Sequence, residues 1–509
     1  MTVIIISTIV YVTVLMLVGI LGFRKVHTLN EFCIGARISS ASEVGLSGQL
    51  SELGYFIFIM IPAGVYLSGL GKAWTMIGLF VGTMFIWYLM SYRLMRYSLK
   101  YKNVYSVPDY FGRRFGRGDF LPVNTAMISI VFDLVIAAAL VKLLAIFVAD
   151  ITGMDTGLLS AIIVTIVLGF IMLSGYKGSV HMDKINAGIV IAALVTLPIV
   201  TMFIFKADEL IIAIMNSRVS GGASRYLNAF RIGGRMISPF EIVNQLSWGL
   251  VIMGMPGLMI RFLSIGKART AKHGGRHAIL FTLLALFFTV VSGVLYRAFL
   301  YPMILKNLNN QYFLSKAVTK LLKMKLGYKI AGGVLFAGLL AVFVSMIVNA
   351  IHNACIVSYC TIMRPRVLRK FRIKKNIKAL RITAFVTAGA VFGLSFIDID
   401  PMLIIESSII VVAAAFGPCV MLSLYSKRMN KYGASAGMIT GALFAFLWRF
   451  GSFFKDGAET IDMEELTGLS PILPAFVLST LVIIIVSYLT PDVSEEIKKD
   501  YDDVKNRIM

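Results

Sequence analysis

Charge is scarce in this chain. Asp, Glu, Lys and Arg together make up 15% of its 509 residues, and acids are scarcer than bases, 26 against 49. Ordinary soluble domains carry about 25% charged residues, so this scarcity, with 58% hydrophobic residues and a mean hydropathy of +0.84, excludes a typical soluble enzyme. Cysteine is nearly missing. Cys33, Cys355, Cys360 and Cys419 show no metal-ligand spacing and lie in or near apolar runs, so neither a disulfide framework nor a cysteine metal centre is implied. Low-complexity sequence is lacking, and no polar stretch exceeds about 30 residues, too short for a separate catalytic domain.

What the chain has instead is apolar runs. About thirteen are long enough to cross a hydrocarbon core of about 30 Å. They cover 3–22, 45–71, 75–95, 122–149, 157–175, 184–206, 238–263, 277–302, 328–362, 380–397, 402–425, 434–451 and 470–490. Lipid cannot satisfy free backbone groups, and the runs show little period-two alternation, so helices are expected rather than a barrel. The expected fold is an all-α membrane protein, with residues 1–490 forming a single polytopic domain and 491–509 a short tail. The first run lacks a basic n-region and is followed by Arg24 and Lys25, so it reads as a retained helix rather than a cleaved signal.

The net charge of +23 lies between the runs, where positive-inside sorting places basic residues, so anionic lipid headgroups explain it without nucleic acid. With the N-terminus outside, the cytoplasmic loops are 93–117 (including Arg93, Arg96, Lys100 and Arg113), 261–276, and 364–381, "RPRVLRKFRIKKNIKALR". "FIDID" and "FKDGAETIDMEELTG" then fall outside, and the tail from Pro491 is cytoplasmic. Loop 303–327 runs against this pattern, with Lys306, Lys316, Lys320, Lys323 and Lys325 on the outer side.

Two runs carry the marks of interrupted helices. The second holds Gly45, Gly48, Gly54, Pro62 and Gly64, and the seventh, "QLSWGLVIMGMPGLMIRFL", holds Gly249, Gly254, Pro256 and Gly257. They lie five runs apart and so cross in opposite directions, as inverted repeats over 45–206 and 238–425 require, with 3–22 before the core and two helices in 434–490 after it. Glycine and proline are also simply common in membrane helices. Within the second run, Glu52 is a carboxylate at mid-depth, which needs a cation, a proton or a wet cavity. Ser345, Asn349, His352 and Asn353 share one face of the ninth run. Asp133 and Lys142 on the fourth are about 13 Å apart along the helix and cannot pair with each other; Lys142 either snorkels outward or serves the transport path. Glu406, near the outer third of its run, reads as solvated.

At these residues the chain resembles the sodium/solute symporters, in particular the sodium/proline branch. The resemblance rests on "SLYSKRMNKYGASAGMITGAL" (Ser423 to Leu443), "PDYFGRRF" (Pro108 to Phe115), "IGARISS" around Arg37, "IPAGVYLSG" ending at Gly69, "SWGL" with Trp248, and "AAFGP" (Ala414 to Pro418). It implies a core of five plus five helices of the leucine-transporter type, alternating access, and import of a small solute, an amino acid such as proline, an organic acid or a vitamin, driven by sodium. It places the ion among Glu52, Leu50, Leu53, Ala341, Val344, Ser345 and Asp183, and the solute among Ser51, Tyr55, Trp248, Ile252, Pro256 and Asn349. Gating or coupling falls to Arg37, Lys142 and Arg261.

The chain departs from that branch at several positions. Glu52 stands where the branch has an aspartate, Leu50 where it has a small residue, and Val344 with Ser345 where it has two hydroxyls; Ile252 and Ile136 replace aromatics. The coupling ion is therefore sodium or a proton, or the Lys142 ammonium stands in for it. Pro256 and Gly257 expose backbone groups able to bind a solute carboxylate. Beyond sodium, a solute and lipid, no cofactor or protein partner is expected. A solute sensor without transport is the alternative. An enzyme is disfavoured, because His352, Asn353 and Cys355 point in different directions from one helix.

Overall fold

The computed structural model describes residues 2–24, 26–101, 104–116, 118–216, 222–301, 312–367, 377–451, 454–456, 459–461 and 463–506. Helix α1 (Thr2–Phe23) is followed by the short α2 (Leu29–Ile34), which Thr28 and Glu31 start with a capping box. Next come α3 (Ala41–Tyr55), a π-helical turn Phe56–Met60 and α4 (Ile61–Ser68). A second composite helix runs from α5 (Trp74–Phe85) through a π turn Ile86–Met90 to α6 (Ser91–Tyr101), and α7 (Val107–Arg114) lies beyond it. Helices α8 (Phe120–Thr152) and α9 (Thr156–Ile204) close the first half.

The link between the halves holds α10 (Ala207–Asn216), α11 (Ala223–Tyr226) and a hairpin of β1 (Arg231–Ile232) with β2 (Arg235–Met236). Gly233 and Gly234 turn that hairpin at positive φ, 56° and 87°, which a two-residue turn of this hand demands. The second half holds α12 (Pro239–Leu246), α13 (Gly249–Gly254), α14 (Pro256–Leu263), α15 (Ala268–Leu300), α16 (Tyr312–Leu322), α17 (Leu326–Val357), α18 (Ile377–Leu394) and α19 (Pro401–Tyr425). Last come α20 (Lys431–Phe450), a hairpin of β3 (Phe454–Asp456) and β4 (Glu459–Ile461), α21 (Met463–Thr467), α22 (Ile472–Leu489) and α23 (Glu495–Asn506).

Among the described residues ten helices are long and apolar enough to cross a membrane, and the bent assembly Pro239–Gly254 with Pro256–Leu263 makes an eleventh. The protein is a multi-pass membrane protein. The spans from α3, α17 and α19 are the most buried and form the centre, with α8, α9 and α15 packed against them.

The expected interruption of the seventh run is present. Met255 is extended (φ −71°, ψ 113°) between α13 and α14, and the axis bends by 45°. Pro256 follows and has no N–H to offer the carbonyl of Ile252 four residues back. The second run differs from its expectation: it does not unwind but widens into the π turn Phe56–Met60 ahead of Pro62. A π turn absorbs the donor that Pro62 lacks without opening the helix. Its glycines serve packing instead, since a Cβ on Gly45 would overlap the carbonyl of Gly274, and one on Gly54 would overlap Val342 and Met346.

The fifth and sixth runs form the single long α9, broken only at Gly175 (φ 53°, ψ −157°), where the backbone of α2 at Phe32 lies 3.2 Å from the missing Cβ. Two of the outlying lysines of loop 303–327 lie on α16 and find partners on neighbouring helices: Lys316 pairs with Asp150 of α8 at 2.8 Å, and Lys320 donates to the carbonyl of Phe299 of α15. Lys306 and much of loop 364–381 lie outside the described residues.

Candidate functional site

The break before α14 faces the middle of α3, and two polar clusters meet there. In the first, Arg261 of α14 is 3% exposed and reaches across to α3 and α9. Its guanidinium donates to Ser47 Oγ from Nε (3.2 Å) and Nη2 (3.0 Å), to the Gly257 carbonyl (3.2 Å), and to Asp183 Oδ2 (3.4 Å). Ser47 also donates to the same Asp183 oxygen at 2.5 Å, and Tyr176 presents its ring 5.7 Å from the guanidinium. A buried pair of this kind persists because each remaining polar atom is met, and removing either partner strands a charge.

The second cluster surrounds Glu52. Its Oε1 accepts from Asn349 Nδ2 at 2.9 Å, and the Asn349 carbonyl oxygen accepts in turn from Arg261, so one amide links the two clusters. A Cβ on Gly257 would overlap both Glu52 Oε1 and Asn349 Nδ2, which puts this hydrogen bond directly against the first turn of α14. The positive end of that helix favours a carboxylate there. Beyond Glu52 lies a small cavity of about 40 Å³ lined by Ser51, Glu52, Asp133, Ile136, Leu140, Met255, Pro256, Gly257, Met346, Asn349 and Ala350, with Ile409 and Val412 of α19. Asp133 accepts from Ser129 at 3.0 Å and from Asn353 of α17.

Thus the polar face expected on the ninth run is used at successive helical turns. Ser345 accepts from Asn186 at 2.8 Å, Asn349 holds Glu52, and Asn353 holds Asp133. His352 turns the other way and stacks on Phe32 at 5.3 Å.

Of the residues expected at the ion, Glu52, Asp183 and Ser345 lie in these clusters, and Ser345 borders Asp183. Leu50, Leu53, Ala341 and Val344 are buried, but their carbonyls sit within helices; that of Leu53 accepts from the Phe56 N–H. The oxygens open to a hard cation are therefore side-chain ones, from Asp183, Glu52, Ser47 and Ser345. Of the residues expected at the solute, Ser51, Pro256 and Asn349 line the cavity. Trp248, Ile252 and Tyr55 do not: Trp248 packs edge-on against Phe56 at 5.4 Å, Ile252 is fully buried, and Tyr55 donates to Glu406 at 2.8 Å. Glu406 accordingly has a protein partner where the sequence suggested water.

Arg37 staples the foot of α3 to its neighbours, donating to the Leu263 carbonyl (3.2 Å) and to Ser98 (2.8 Å). Lys142 is apart from the cavity. Its ammonium donates to the carbonyl of Ile397 (2.8 Å) and reaches Asp398 (3.4 Å), beyond the C-terminus of α18, so it is not a stand-in for the ion in this structure. Ser47 and Asp133 are the site residues that sequence reasoning left out of the set. Ser47 lies one helical turn before Ser51, and Asp133 already stood out as an unpaired acid in an apolar run.

A bent helix, a buried ion pair and a small cavity with carboxylates in its wall, at the middle of a multi-pass bundle, are the features of a membrane carrier. The profile of the sodium:solute symporter family matches residues 32–441, and the chain belongs to that family. Among curated proteins it is 25% identical to the sodium/proline symporter of Haemophilus influenzae, over 97% of this chain and 96% of that one. It is likewise 25% identical to the osmoregulated proline transporter of Bacillus subtilis, over 96% and 95%. Among solved structures it superposes on a Na+-coupled sialic acid symporter in a substrate-bound, outward-open state with a TM-score of 0.75 at 15% identity, covering 97% of this chain and 99% of that one, which shows the shared fold.

Proposed function

We propose that the protein imports a small organic solute by symport with sodium through alternating access. The observation that carries this reading is the Glu52–Asn349–Arg261–Asp183 chain, which joins the small cavity at the helix break to a cluster of buried side-chain oxygens. Sodium takes oxygens from Asp183, Ser47 and Ser345, drawing Asp183 away from Arg261. The freed guanidinium then changes its hold on Asn349 and so on Glu52. Solute and ion in this way sense each other through one amide, which is a physical form for coupling between sites.

In this reading the core is two inverted repeats of five helices. Counting α9 as separate spans on either side of Gly175, α12 to α14 as one bent span, and α20 as a further span yields the thirteen crossings expected from the sequence. The basic loops then face the cytoplasm, and α1 begins outside.

The test is uptake into liposomes under inward sodium, inward proton and zero gradients, across a panel of labelled amino acids, organic acids, amines and vitamins. Concentrative uptake under the sodium gradient, abolished by Glu52→Gln and by Asp183→Asn, is expected. Uptake that follows only the proton gradient, or that is equal with and without sodium, rejects the sodium symporter.

A further inference from the structure

In carriers with a broken helix, the N-terminus exposed at the break commonly holds the anionic group of the solute. Here that place is taken. Glu52 Oε1 and the Asn349 amide that holds it lie where a Cβ of Gly257 would be, against the first turn of α14. The extra methylene of glutamate over aspartate gives the side chain this reach.

The rest of the cavity is short of positive charge. Asp133 enters from α8, and the other walls are mostly apolar, among them Ile136, Met346 and Ile409. Glu52 is only 8% exposed, and among the described residues its Oε2 accepts no hydrogen bond; Oδ1 of Asp133 accepts none either, since both its donors bind Oδ2. The neighbouring cation, Arg261, is committed to Ser47, Gly257, Asp183 and Asn349, and the Lys142 ammonium is bound to the carbonyl of Ile397. Three acids, Asp183, Glu52 and Asp133, thus stand in and beside the cavity against one guanidinium, which pairs with Asp183. Buried carboxylates require compensation. One sodium ion balances one of the surplus charges, and a proton or a second monovalent cation balances the other; the unpartnered oxygens that Glu52 and Asp133 turn to the same cavity favour the cation.

We propose that this second cation is the solute itself, a small organic cation whose charged nitrogen sits between Glu52 and Asp133, and that a solute carboxylate is excluded because Glu52 occupies its place. The inference rests on the reading of the protein as a sodium-driven importer. A cavity of about 40 Å³ holds a charged head group, on the scale of a few waters, rather than a whole amino acid.

The experiment measures sodium-driven currents in reconstituted membranes. Ethanolamine, choline and pyrrolidine are set against L-proline, acetate and glucose. Pyrrolidine and L-proline share a ring and differ in the carboxylate, so their order reports directly on the excluded group. The expected result is transport of the cations, with pyrrolidine favoured over L-proline by about tenfold or more, a step of about 1.4 kcal/mol. Asp133→Asn is expected to raise the half-saturating concentration of the cation by about tenfold while leaving that of sodium nearly unchanged, and Asp133→Glu to restore cation preference.

Sodium-driven transport of L-proline, acetate or glucose in preference to the amines overturns the inference and leaves sodium symport standing. So does an Asp133→Asn effect on sodium with none on the solute, which assigns that carboxylate to an inorganic ion. Amine transport indifferent to sodium is a different failure, that of the symport reading. The wild-type solute order is independent of whether any variant folds.

Discussion

Gly257→Ala puts one methyl group into the contact on which the site depends. The added Cβ would overlap Glu52 Oε1 and Asn349 Nδ2, the acceptor and donor of the same 2.9 Å hydrogen bond, so one of them must move. A hydrogen bond to a charged group is worth about 1.5–3 kcal/mol, which converts to a loss of about 10- to 150-fold in any affinity that needs it. Because Asn349 also accepts from Arg261, the loss is expected in the half-saturating concentrations of both solute and sodium, not in one alone. The assay is initial uptake against solute at fixed sodium and against sodium at fixed solute, with thermal unfolding in detergent to confirm a folded protein. Gly188→Ala on α9 is the matched control, since its Cβ would meet nothing within 4 Å. A folded Gly257→Ala protein with wild-type half-saturation for both ligands, or an equal loss in Gly188→Ala, refutes the argument that Glu52 works from the end of α14.

The Arg261–Asp183 pair is 3% and 4% exposed at its side chains, so Arg261→Met or Asp183→Asn alone should destabilise the protein by about 3–5 kcal/mol and the double variant by less than the sum; additive losses in thermal unfolding would show the pair to be uncoupled. Lys142→Ala should leave sodium dependence unchanged, because its ammonium is bound to the Ile397 carbonyl, and a shifted sodium response would contradict that placement. Helix α23 is strapped to the bundle by Lys100 with Asp500 (2.6 Å) and Asp503 (2.7 Å), and the turn before it by Arg428 with Asp492 (2.9 Å), which Lys498 of α23 also binds (2.9 Å). Hydrogen bonding from Lys498, with Arg428 nearby, holds the Asp492 carboxyl below its ordinary range. A depressed carboxylate contributes at neutral pH and is lost only as pH falls through its folded value. Tryptic release of α23 should therefore accelerate with salt, which screens exposed pairs, and stay flat down to about pH 5; acid-sensitive release above that pH would contradict the strap.

The helices were legible because lipid admits few alternatives: an apolar run near 20 residues in length has to satisfy its own backbone. The polar face of α17 was legible for a related reason, since Ser345, Asn349 and Asn353 repeat every four residues and must point one way. Glycine was the ambiguous letter. In the seventh run it accompanies a real break at Met255, whereas in the second Gly45 and Gly54 admit neighbouring helices and the chain stays wound. Composition is the same in both cases, and only the partner across the interface decides. The meeting of Glu52 with Asp133, and of Arg261 with Asp183, joins residues about 80 apart, and no periodicity carries that information. Lys142 shows the same limit in reverse, for its long stem lets one position serve either a site or a loop carbonyl.

The same contacts give the end of the bundle at the foot of α3 a way to respond to what the cavity holds. At the foot of α3, Glu43 caps its own helix through Ser40 and also binds Lys177 (3.2 Å) and His181 (3.0 Å), both just past the break at Gly175 in α9. Four residues further up α3, Ser47 touches both Arg261 and Asp183, and four further again Ser51 lines the cavity. A single rigid helix therefore carries the latch, the ion-pair contact and the cavity wall on one line. Asp183 sits on the same α9 segment as the latch partners, beyond the Gly175 hinge. A ligand that draws Asp183 away from Ser47 or Arg261 removes a contact between that segment and α3, which leaves Glu43 with Lys177 and His181 to hold the two together there. Because α3 stays wound through its π turn, it transmits a displacement as a lever would, whereas an unwound segment at Glu52 would absorb it. The continuity of this helix, unexpected from its glycines, thus joins site and latch on one rigid element.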